Sequence, residues 1–461
     1  MKHILCLLLF TTFQSFSQTQ TVESFFKYEQ ANGSCYTNLH ALCKKVGHRL
    51  SGSTHAANAV KWAKSTMEQI VPGSVAIQPC LVPHWERGRP EVCVLKLMNG
   101  DSIAHLDVLA LGGSEATPPT GIQAPVVIVN NYDELNKLGK SGIAGKILFF
   151  SHVMDSTLSN IFDAYSQSVT YRWKGPSEAA RYGALASVVR SMCTRTDDFP
   201  HTGAMMYNDS FPKIPCFAIS TLDAKFLAQN LKKHPDAKLY LQSNCRWFPD
   251  EPSHNVIGEI KGSEFPNEII TVGGHLDSWD VGEGAHDDGA GVVQSIEVLN
   301  LIMKLGLTPK RTIRAVAFMN EENGGKGGAA YAAGVKEGEK HIAALESDEG
   351  AGYPLGFGIG GVSDASRKMI ETWKPLFSAY KIDKWLTEGG GADLSALHKV
   401  TNVPTINLIP DPTKYFHYHH TNNDVFENIT EKDLKAGASA MAALVWLISE
   451  NGLEAAPNAG K

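Results

Sequence analysis

The stretch IITVGGHLD, residues 269–277, leads from an apolar, β-prone run through two glycines to a histidine and an aspartate. From Asn255 onward, similar short apolar runs alternate with segments whose apolar residues recur at helical spacing. This alternation predicts an α/β domain whose mostly parallel, mixed sheet is buried between helices. The predicted strands are 256–260, 269–272, 312–319, 342–345 and 403–408, and the predicted helices are 289–305, 328–336 and 431–449.

The chain upstream of this domain has a different pattern. Apolar residues at helical spacing predict two helices between Asn38 and Ile70, joined by the loop 47–53. Residues 106–250 combine short β-prone segments with helical patches, which predicts a compact α+β insertion. The two prolines within 247–252 predict a connection from the insertion to the domain that follows. The strands predicted in the insertion are 124–129, 146–150, 184–189 and 215–219.

Length and composition indicate a globular protein with two hydrophobic cores, since 43% of the 461 residues are apolar and 20% are charged. The net charge is −6, and acidic and basic residues are interspersed, so the chain lacks the basic stripe that binding to nucleic acid requires. Nucleic acid is therefore not an expected partner.

The predicted segments are a signal peptide at 1–17, the main domain at 18–105 and 251–452, the insertion at 106–250 and a tail at 453–461.

The N-terminus has the parts of a secretory signal peptide: a lysine, the apolar run 4–10, and small and polar residues around Ser15 and Ser17. A buried N-terminal helix is the weaker interpretation, and the run is too short to span a membrane. We expect an exported protein, secreted or periplasmic, without a membrane anchor. Export permits disulfides among the seven cysteines from Cys35 to Cys245, but their odd number leaves at least one thiol free.

Polar side chains follow the predicted strands of the main domain. His275 and Asp277 end one strand, and such alternate residues can pair a metal-binding imidazole with a carboxylate that holds its other ring N–H. Asp287 and Asp288 lie just before a helix, where acidic residues are also common as caps. Each pair alone is equally compatible with an ordinary turn.

Glu321 and Glu322 follow the strand 312–319. Neighbouring glutamates at a strand end point in different directions, so one can bind a metal while the other stays free as a base. The segment ESD, residues 346–348, follows the next strand, and YHHTNND, residues 418–424, follows the last one. Alone, these motifs would be interpreted as solvated turns.

Their joint arrangement is more specific than any single motif. Ligand types in the order His, Asp, Glu, Asp, His follow successive strands of one sheet, whose carboxyl ends meet at one edge. Two imidazoles, carboxylate oxygens and no thiolates favour zinc, with manganese or cobalt as substitutes. Five ligands exceed what one catalytic zinc takes, and an aspartate shared by two ions would give each ion three protein ligands. The sequence therefore predicts two zinc ions per chain.

At this point the sequence resembles the co-catalytic di-zinc aminopeptidase family, and within it the carboxypeptidase Q (plasma glutamate carboxypeptidase) branch. The likeness extends over nearly the whole chain after the signal peptide. The motifs that carry it are GHRLSGS at 47–53, GALAS at 183–187, PHTG at 200–203, HLDSWDVG at 275–282, DDG at 287–289, KRT at 310–312, EE at 321–322, ESD at 346–348 and KYFHYHH at 414–420.

The resemblance implies a metal-binding role for five residues. His275 and Asp348 would bind one zinc, and Glu322 and His420 would bind the other. Asp287 would bridge the two ions.

The resemblance also implies further features of the site and the fold. Glu321 would be the general base, and Asp277 would orient His275. Members of this family often have a cis peptide after the bridging aspartate, here between Asp287 and Asp288. The implied fold is zinc-exopeptidase-like, with an insertion similar to a protease-associated domain that covers the site, and the implied assembly is a homodimer.

The activity implied is hydrolysis of dipeptides or short peptides with free termini, in which Glu321 takes a proton from a water held between two zinc ions. A broad aminopeptidase and a non-catalytic peptide-binding relative are the alternatives. Many family members have a tyrosine where this sequence has His419, which makes His419 a candidate oxyanion donor. Preferring His420 to His419 as the ligand depends only on the family's His-Thr-x-x-Asp ending. Asp393 either lines the pocket or caps a turn, and the sequence favours neither.

Overall fold

The computed structural model describes residues 18–457, so the predicted signal peptide and the last four residues of the tail lie outside the described part. The helices are α1 18–32, α2 Cys35–Ala41, α3 Thr54–Ile70, α4 Tyr132–Ile143, α5 Ile161–Trp173, α6 Gly175–Arg181, α7 Thr221–Lys233, α8 Ala290–Lys304, α9 Lys326–Ala333, α10 Asp364–Ser378, α11 Ser395–Thr401 and α12 Glu431–Asn451. The strands are β1 Val75–Glu86, β2 Val92–Lys96, β3 Ser102–His105, β4 Val108–Ala110, β5 Ile122–Val129, β6 Ile147–Phe150, β7 Ala186–Arg190, β8 Cys216–Ile219, β9 Lys238–Gln242, β10 Arg246–Ile260, β11 Phe265–His275, β12 Arg311–Phe318, β13 Lys340–Glu346, β14 Pro354–Gly360, β15 Lys384–Leu386 and β16 Thr405–Pro410.

The first of two eight-stranded sheets, here called the main sheet, has the order β1-β10-β12-β11-β13-β16-β14-β15. Its centre, from β12 through β11 and β13 to β16, is parallel, and antiparallel strands flank it. The predicted mixed, mostly parallel sheet between helices is confirmed. The parallel centre brings the ends of β11, β12, β13 and β16 to one edge.

Alternation of side chains explains why the main sheet is covered on both faces. In β12, Ile313, Ala315 and Ala317 contribute to the core formed with α3, α8 and α12. The intervening Val316 and Phe318 pack with α9 and α11 on the opposite face. Successive side chains of a strand point to opposite faces, so the unbroken apolar run 315–319 predicts a strand end with helices on both sides.

The second sheet, here called the inserted sheet, has the order β3-β2-β9-β5-β6-β7-β8-β4. Its strands β5, β6, β7 and β8 are parallel, and they overlap the four strands predicted between residues 106 and 250. Two further strands, β2 and β3, precede residue 106 and still pair within this sheet. The strands of the inserted sheet therefore lie within residues 92–242.

The predicted connection at 247–252 is wrong, because these residues lie inside β10. There β10 pairs with β1 alone, and it meets β12 only from Val256 onward. A strand in a two-stranded ribbon pairs along one side only. A proline whose nitrogen faces the unpaired side therefore costs no hydrogen bond between the strands. The register also shifts opposite Pro249, between the pairs that Val82 and His84 make.

Two of the contacts between the sheets hold the loop after β11. Trp279, from the loop after β11, is buried in the hydrophobic core of the inserted sheet. Arg87, between β1 and β2, donates two hydrogen bonds to the carboxylate of Asp280, at 2.9 and 2.6 Å, and one to Glu91 at 3.1 Å. The loop that follows His275 is thereby held against the insertion.

Cysteine pairing could not be predicted from the sequence. Within residues 18–457 all seven cysteines are free thiols. Over the same residues, no helix has the length and apolar character needed to cross a membrane.

Candidate functional site

The predicted ligands come together at the edge where the parallel strands of the main sheet end. His275 is the last residue of β11, and Glu322 follows β12. Asp348 lies two residues beyond β13, and His420 lies in the long loop after β16. Gly274 permits this close approach, because a Cβ at that position would lie 2.4 Å from a carboxylate oxygen of Asp288.

One group of possible ligand atoms surrounds His275. Its Nε2 lies 3.0 Å from Asp287 Oδ1 and 3.2 Å from Asp348 Oδ1. The ring is only 1% exposed. One imidazole nitrogen and two carboxylate oxygens therefore converge within a space that a single metal ion could occupy.

A second group surrounds His420 and shares Asp287 with the first. His420 Nε2 lies 3.1 Å from Glu322 Oε2 and 3.2 Å from Asp287 Oδ2. Each oxygen of Asp287 thus faces a different histidine. His419 is more distant, with its Nε2 3.8 Å from Asp287 Oδ2, and its ring stacks on that of His420 at a centroid distance of 3.6 Å.

Asp277 holds the site differently from the prediction. His275 Nδ1 contacts the backbone carbonyl of Asp277 at 3.0 Å, whereas the carboxylate is 3.8 Å away. The carboxylate instead accepts hydrogen bonds from the backbone N–H groups of Asn320, Glu321 and Glu322. Three N–H donors at the end of β12 hold it more strongly than one ring nitrogen, so Asp277 orients the two glutamates as well as His275.

The turn that carries Asp287 is held by two other aspartates. Asp424 accepts hydrogen bonds from the backbone N–H groups of His286 and Asp287, at 2.7 and 3.1 Å. Asp288 accepts from the backbone N–H of His275 at 3.0 Å and of Gly291 at 2.9 Å. The peptide bond between Asp287 and Asp288 is cis, as the resemblance implies.

The ionisation of these groups is strongly coupled. Burial opposes the charge of Asp287, but the adjacent imidazoles of His275 and His420 outweigh it and hold its pKa well below the usual range. Burial also opposes the charge of His420, yet Glu322 and Asp287 raise its pKa to about 10. Burial and the neighbouring Asp287 raise the pKa of Glu322 to about 7.

The donor set fits divalent metal ions. Several carboxylates lie buried together, and such a concentration of negative charge is costly without a compensating cation. Among the described residues, Asp287 Oδ2 and Glu322 Oε1 are buried without a hydrogen-bond partner. Carboxylate oxygens and imidazole nitrogens are zinc ligands, and both orphaned oxygens belong to residues beside His420 Nε2.

Glu321 lies beside both groups and belongs to neither. It lines the same cavity as Asp287, Glu322 and Asp348. Burial raises the pKa of Glu321 well above its usual range, with His275 opposing the shift and Asp348 adding to it. A higher pKa makes a carboxylate a stronger proton acceptor.

Asp393 lies beneath this edge of the main sheet, 2% exposed. Both of its carboxylate oxygens lack a hydrogen-bond partner among the described residues. Burial and the nearby Glu346 raise its pKa well above the usual range. Its side chain therefore caps no turn, and it also lies outside the lining of the cavity that Glu321 lines.

This cavity, of about 550 Å³, lies above the two groups and is bordered on its far side by the insertion. Phe162, Tyr165, Arg172 and Trp173 of α5 form much of its far wall. Sequence reasoning missed these residues, because nothing in the local pattern of a helix in another domain connects it to the ends of β11 and β12. Sequence reasoning also assigned no role to Asp424, although its position in a polar turn, four residues after His420, could have indicated a role in the site.

Comparison with known proteins places the chain among peptidases. The sequence model of peptidase family M28 matches residues 255–445. Carboxypeptidase Q from Homo sapiens is 35% identical over 424 residues, which cover 92% of this chain and 87% of that protein. Aminopeptidase YwaD from Bacillus subtilis is 23% identical and covers 89% of this chain and 83% of that protein.

Solved structures agree with the sequence matches. A peptidase M28 precursor from Shewanella amazonensis superposes with a TM-score of 0.91 at 32% identity, covering 97% of this chain and 100% of that chain. BSAP, a zinc aminopeptidase from Bacillus subtilis, superposes with a TM-score of 0.64 at 20% identity, over 93% of this chain and 96% of that chain. The second match indicates a shared fold.

Proposed function

This chain belongs to peptidase family M28, and from that premise we propose that it is a zinc-dependent exopeptidase acting on dipeptides or other short peptides with free termini. The observation that carries the proposal is the pair of ligand groups that share Asp287 on the floor of one cavity. Its volume suits a short peptide, and a folded protein substrate would not fit in it.

We assign His275 and Asp348 to one zinc ion, Glu322 and His420 to the other, and Asp287 to both, because Nε2 of each histidine lies 3.0 to 3.2 Å from the carboxylate oxygens assigned to the same ion. Manganese or cobalt would be accepted by the same nitrogen and oxygen donors. Bound ions of this kind polarise a peptide carbonyl and lower the pKa of water.

Glu321 is the proposed general base. Its carboxylate takes a proton from the water that attacks the peptide carbonyl, and then passes this proton to the nitrogen of the leaving amine. The carboxylate of Asp277 accepts hydrogen bonds from the backbone N–H groups of Glu321 and Glu322, and so fixes the backbone that carries both glutamates. His419, beside Asp287 and in the cavity wall, is placed to contact the substrate oxygen.

Three wider features belong to the same proposal. The N-terminal segment 1–17 directs export, so the protein acts outside the cytoplasm. The insertion is a protease-associated-like domain that restricts access to the site, because α5 forms part of the cavity wall. The active assembly is a homodimer, as the resemblance implies.

Glu321→Gln tests the general base. We expect this variant to bind the same amount of zinc as the wild type and to lose about 10²- to 10⁴-fold in kcat for an unblocked dipeptide. Zinc is measured by elemental analysis of the purified protein, and kcat by release of free amino acid. Full activity in Glu321→Gln would refute the assignment of the base.

Metal removal and N-acetylation test the reaction class. A chelator should abolish hydrolysis of the dipeptide, and added zinc should restore it. N-acetylation should slow the reaction, since a free terminus is part of the proposed substrate. Activity that survives complete removal of the metal would rule out a metallopeptidase mechanism.

A further inference from the structure

Arg172 is a cationic side chain of the insertion that reaches the cavity above the two ligand groups. It lies near the end of α5, and its side chain is 5% exposed. Among the residues that line this cavity, it is the sole arginine or lysine. The opposite wall carries Asp287, Glu321, Glu322 and Asp348. The cavity is therefore bipolar, acidic on the side of the main sheet and cationic on the side of the insertion.

The guanidinium is held in position but is only partly used. Its Nε donates to the backbone carbonyl of Ala204 at 3.2 Å, and its Nη2 donates to the hydroxyl of Tyr165 at 2.9 Å. Within residues 18–457 it forms no ion pair with a carboxylate. A buried arginine without an anionic partner is unusual, since burial of an unpaired charge is costly.

The nearest nitrogen, Nδ1 of His420, does not satisfy the free donors. It lies 3.4 Å from Arg172 Nη1 and 3.3 Å from the backbone carbonyl of Thr202. With Nε2 of His420 assigned to a zinc ion, the ring proton belongs on Nδ1 and is donated to the carbonyl of Thr202. Nη1 and Nδ1 are then both donors, which leaves the N–H groups of Nη1 available to a ligand in the cavity.

We propose that Arg172 binds the C-terminal carboxylate of the substrate and so determines that the enzyme acts on free dipeptides. This inference rests on the proposed function. A guanidinium binds a carboxylate through two parallel hydrogen bonds, which gives geometric as well as electrostatic selectivity. Tyr165 fixes the plane of the guanidinium before the substrate arrives.

The position of Arg172 also limits substrate length. It lies behind His420, one imidazole ring away from the nitrogen that faces Glu322 and Asp287. One residue of extended peptide advances the backbone by about 3.5 Å. A carboxylate one residue beyond the scissile carbonyl is thus within reach of Arg172, and each added residue would carry it about 3.5 Å farther.

The test compares alanyl-alanine with its C-terminal amide in the zinc-loaded full chain. We expect the wild type to prefer the free acid. In Arg172→Gln, the ratio of kcat/KM for the acid to kcat/KM for the amide should fall by about 10- to 100-fold, mainly because KM for the acid rises. Arg172→Lys should recover part of this preference, because lysine keeps the charge but not the planar fork. Arg190→Gln, a change at a partly buried arginine outside the cavity, is the matched control and should leave the preference unchanged.

The outcomes separate this inference from the proposed function. If Arg172→Gln slows acid and amide equally, Arg172 acts by supporting His420 and the inference is wrong. If the wild type cleaves the amide as well as the acid, the inference is also wrong, whether or not any variant folds, while the metallopeptidase proposal stands. If the zinc-loaded wild type cleaves neither compound, the proposed function fails, and the inference with it.

Discussion

The two sheets share an architecture but differ in the residues that lie just beyond the ends of their parallel strands. In the inserted sheet, Asn130, Ser151, Ser191 and Ser220 come after β5, β6, β7 and β8. These side chains serve local structure; for example, the hydroxyl of Ser191 donates to the carbonyl of Ile219 at 2.7 Å. In the main sheet, the end of β11 and the loops after β12, β13 and β16 carry histidine, glutamate and aspartate that converge on one another. The strand arrangement thus provides the edge in both sheets, and the residues on that edge determine its chemistry.

The largest effect is expected from Asp287→Ala, which removes the residue common to both ligand groups. Neither zinc ion should then bind tightly, and the loss of activity should exceed the roughly 10²- to 10⁴-fold expected for a general base. The rise in Tm on adding zinc should also disappear, since only a metal bound to the folded state stabilises it. Metal analysis and thermal unfolding measure both.

Asp209→Ala is the matched control, because this aspartate lies in the insertion with its side chain 94% exposed. It should leave metal content and activity unchanged. If the Asp287→Ala protein retained two tightly bound ions, Asp287 would not be the shared ligand at the edge of the main sheet.

An intermediate effect is expected at the junction of the two sheets. Arg87→Met leaves the carboxylates of Asp280 and Glu91 without their cation in a largely buried position. Removing one partner of a buried ion pair costs about 3–5 kcal/mol, so the free energy of unfolding should fall by that order. Denaturant unfolding measures it. The double variant Arg87→Met/Asp280→Asn should lose less, and a single-variant loss below about 1 kcal/mol would mean that the pair behaves like an exposed one.

The smallest effect is expected at Glu29 in α1, a buried carboxyl group outside both sheets. Burial, and then the nearby Glu297, raise its pKa from 4.5 to about 10. The folded group stays protonated while the unfolded one ionises, so its contribution to stability is complete below about pH 4.5 and is lost as the pH rises towards 10. Glu29→Gln should therefore be more stable than the wild type at pH 8 by on the order of 1–3 kcal/mol.

Unfolding free energies at pH 5 and pH 8, with zinc present, provide the check. The advantage of Glu29→Gln should grow with pH, whereas zinc content should stay unchanged. An advantage that is equal at both values would show that Glu29 is ionised in the folded protein.

The sequence predicted the main sheet well, because its strands are apolar on both faces and its helices have regular apolar spacing. It missed β14 and β15, since the glycine-rich segment Pro354–Gly360 has no alternation to detect and Lys384–Leu386 is short. The error at 247–252 had a different cause. The prolines predict a break, whereas only the pairing of β10 with β1 reveals a ribbon in which they are tolerated.

For the site, the sequence by itself determined which main-sheet residues would gather, because the carboxyl ends of neighbouring parallel strands meet at one edge whatever the side chains are. Only the tertiary structure decided how the site is completed. It placed Arg172, which lies far upstream of His275 in the sequence, in the opposite wall, and it assigned the carboxylate of Asp277 to backbone N–H groups. The contact of Arg172 depends on how two separate sheets pack, and that of Asp277 on how the loops after β11 and β12 meet. Local periodicity carries no information about either arrangement.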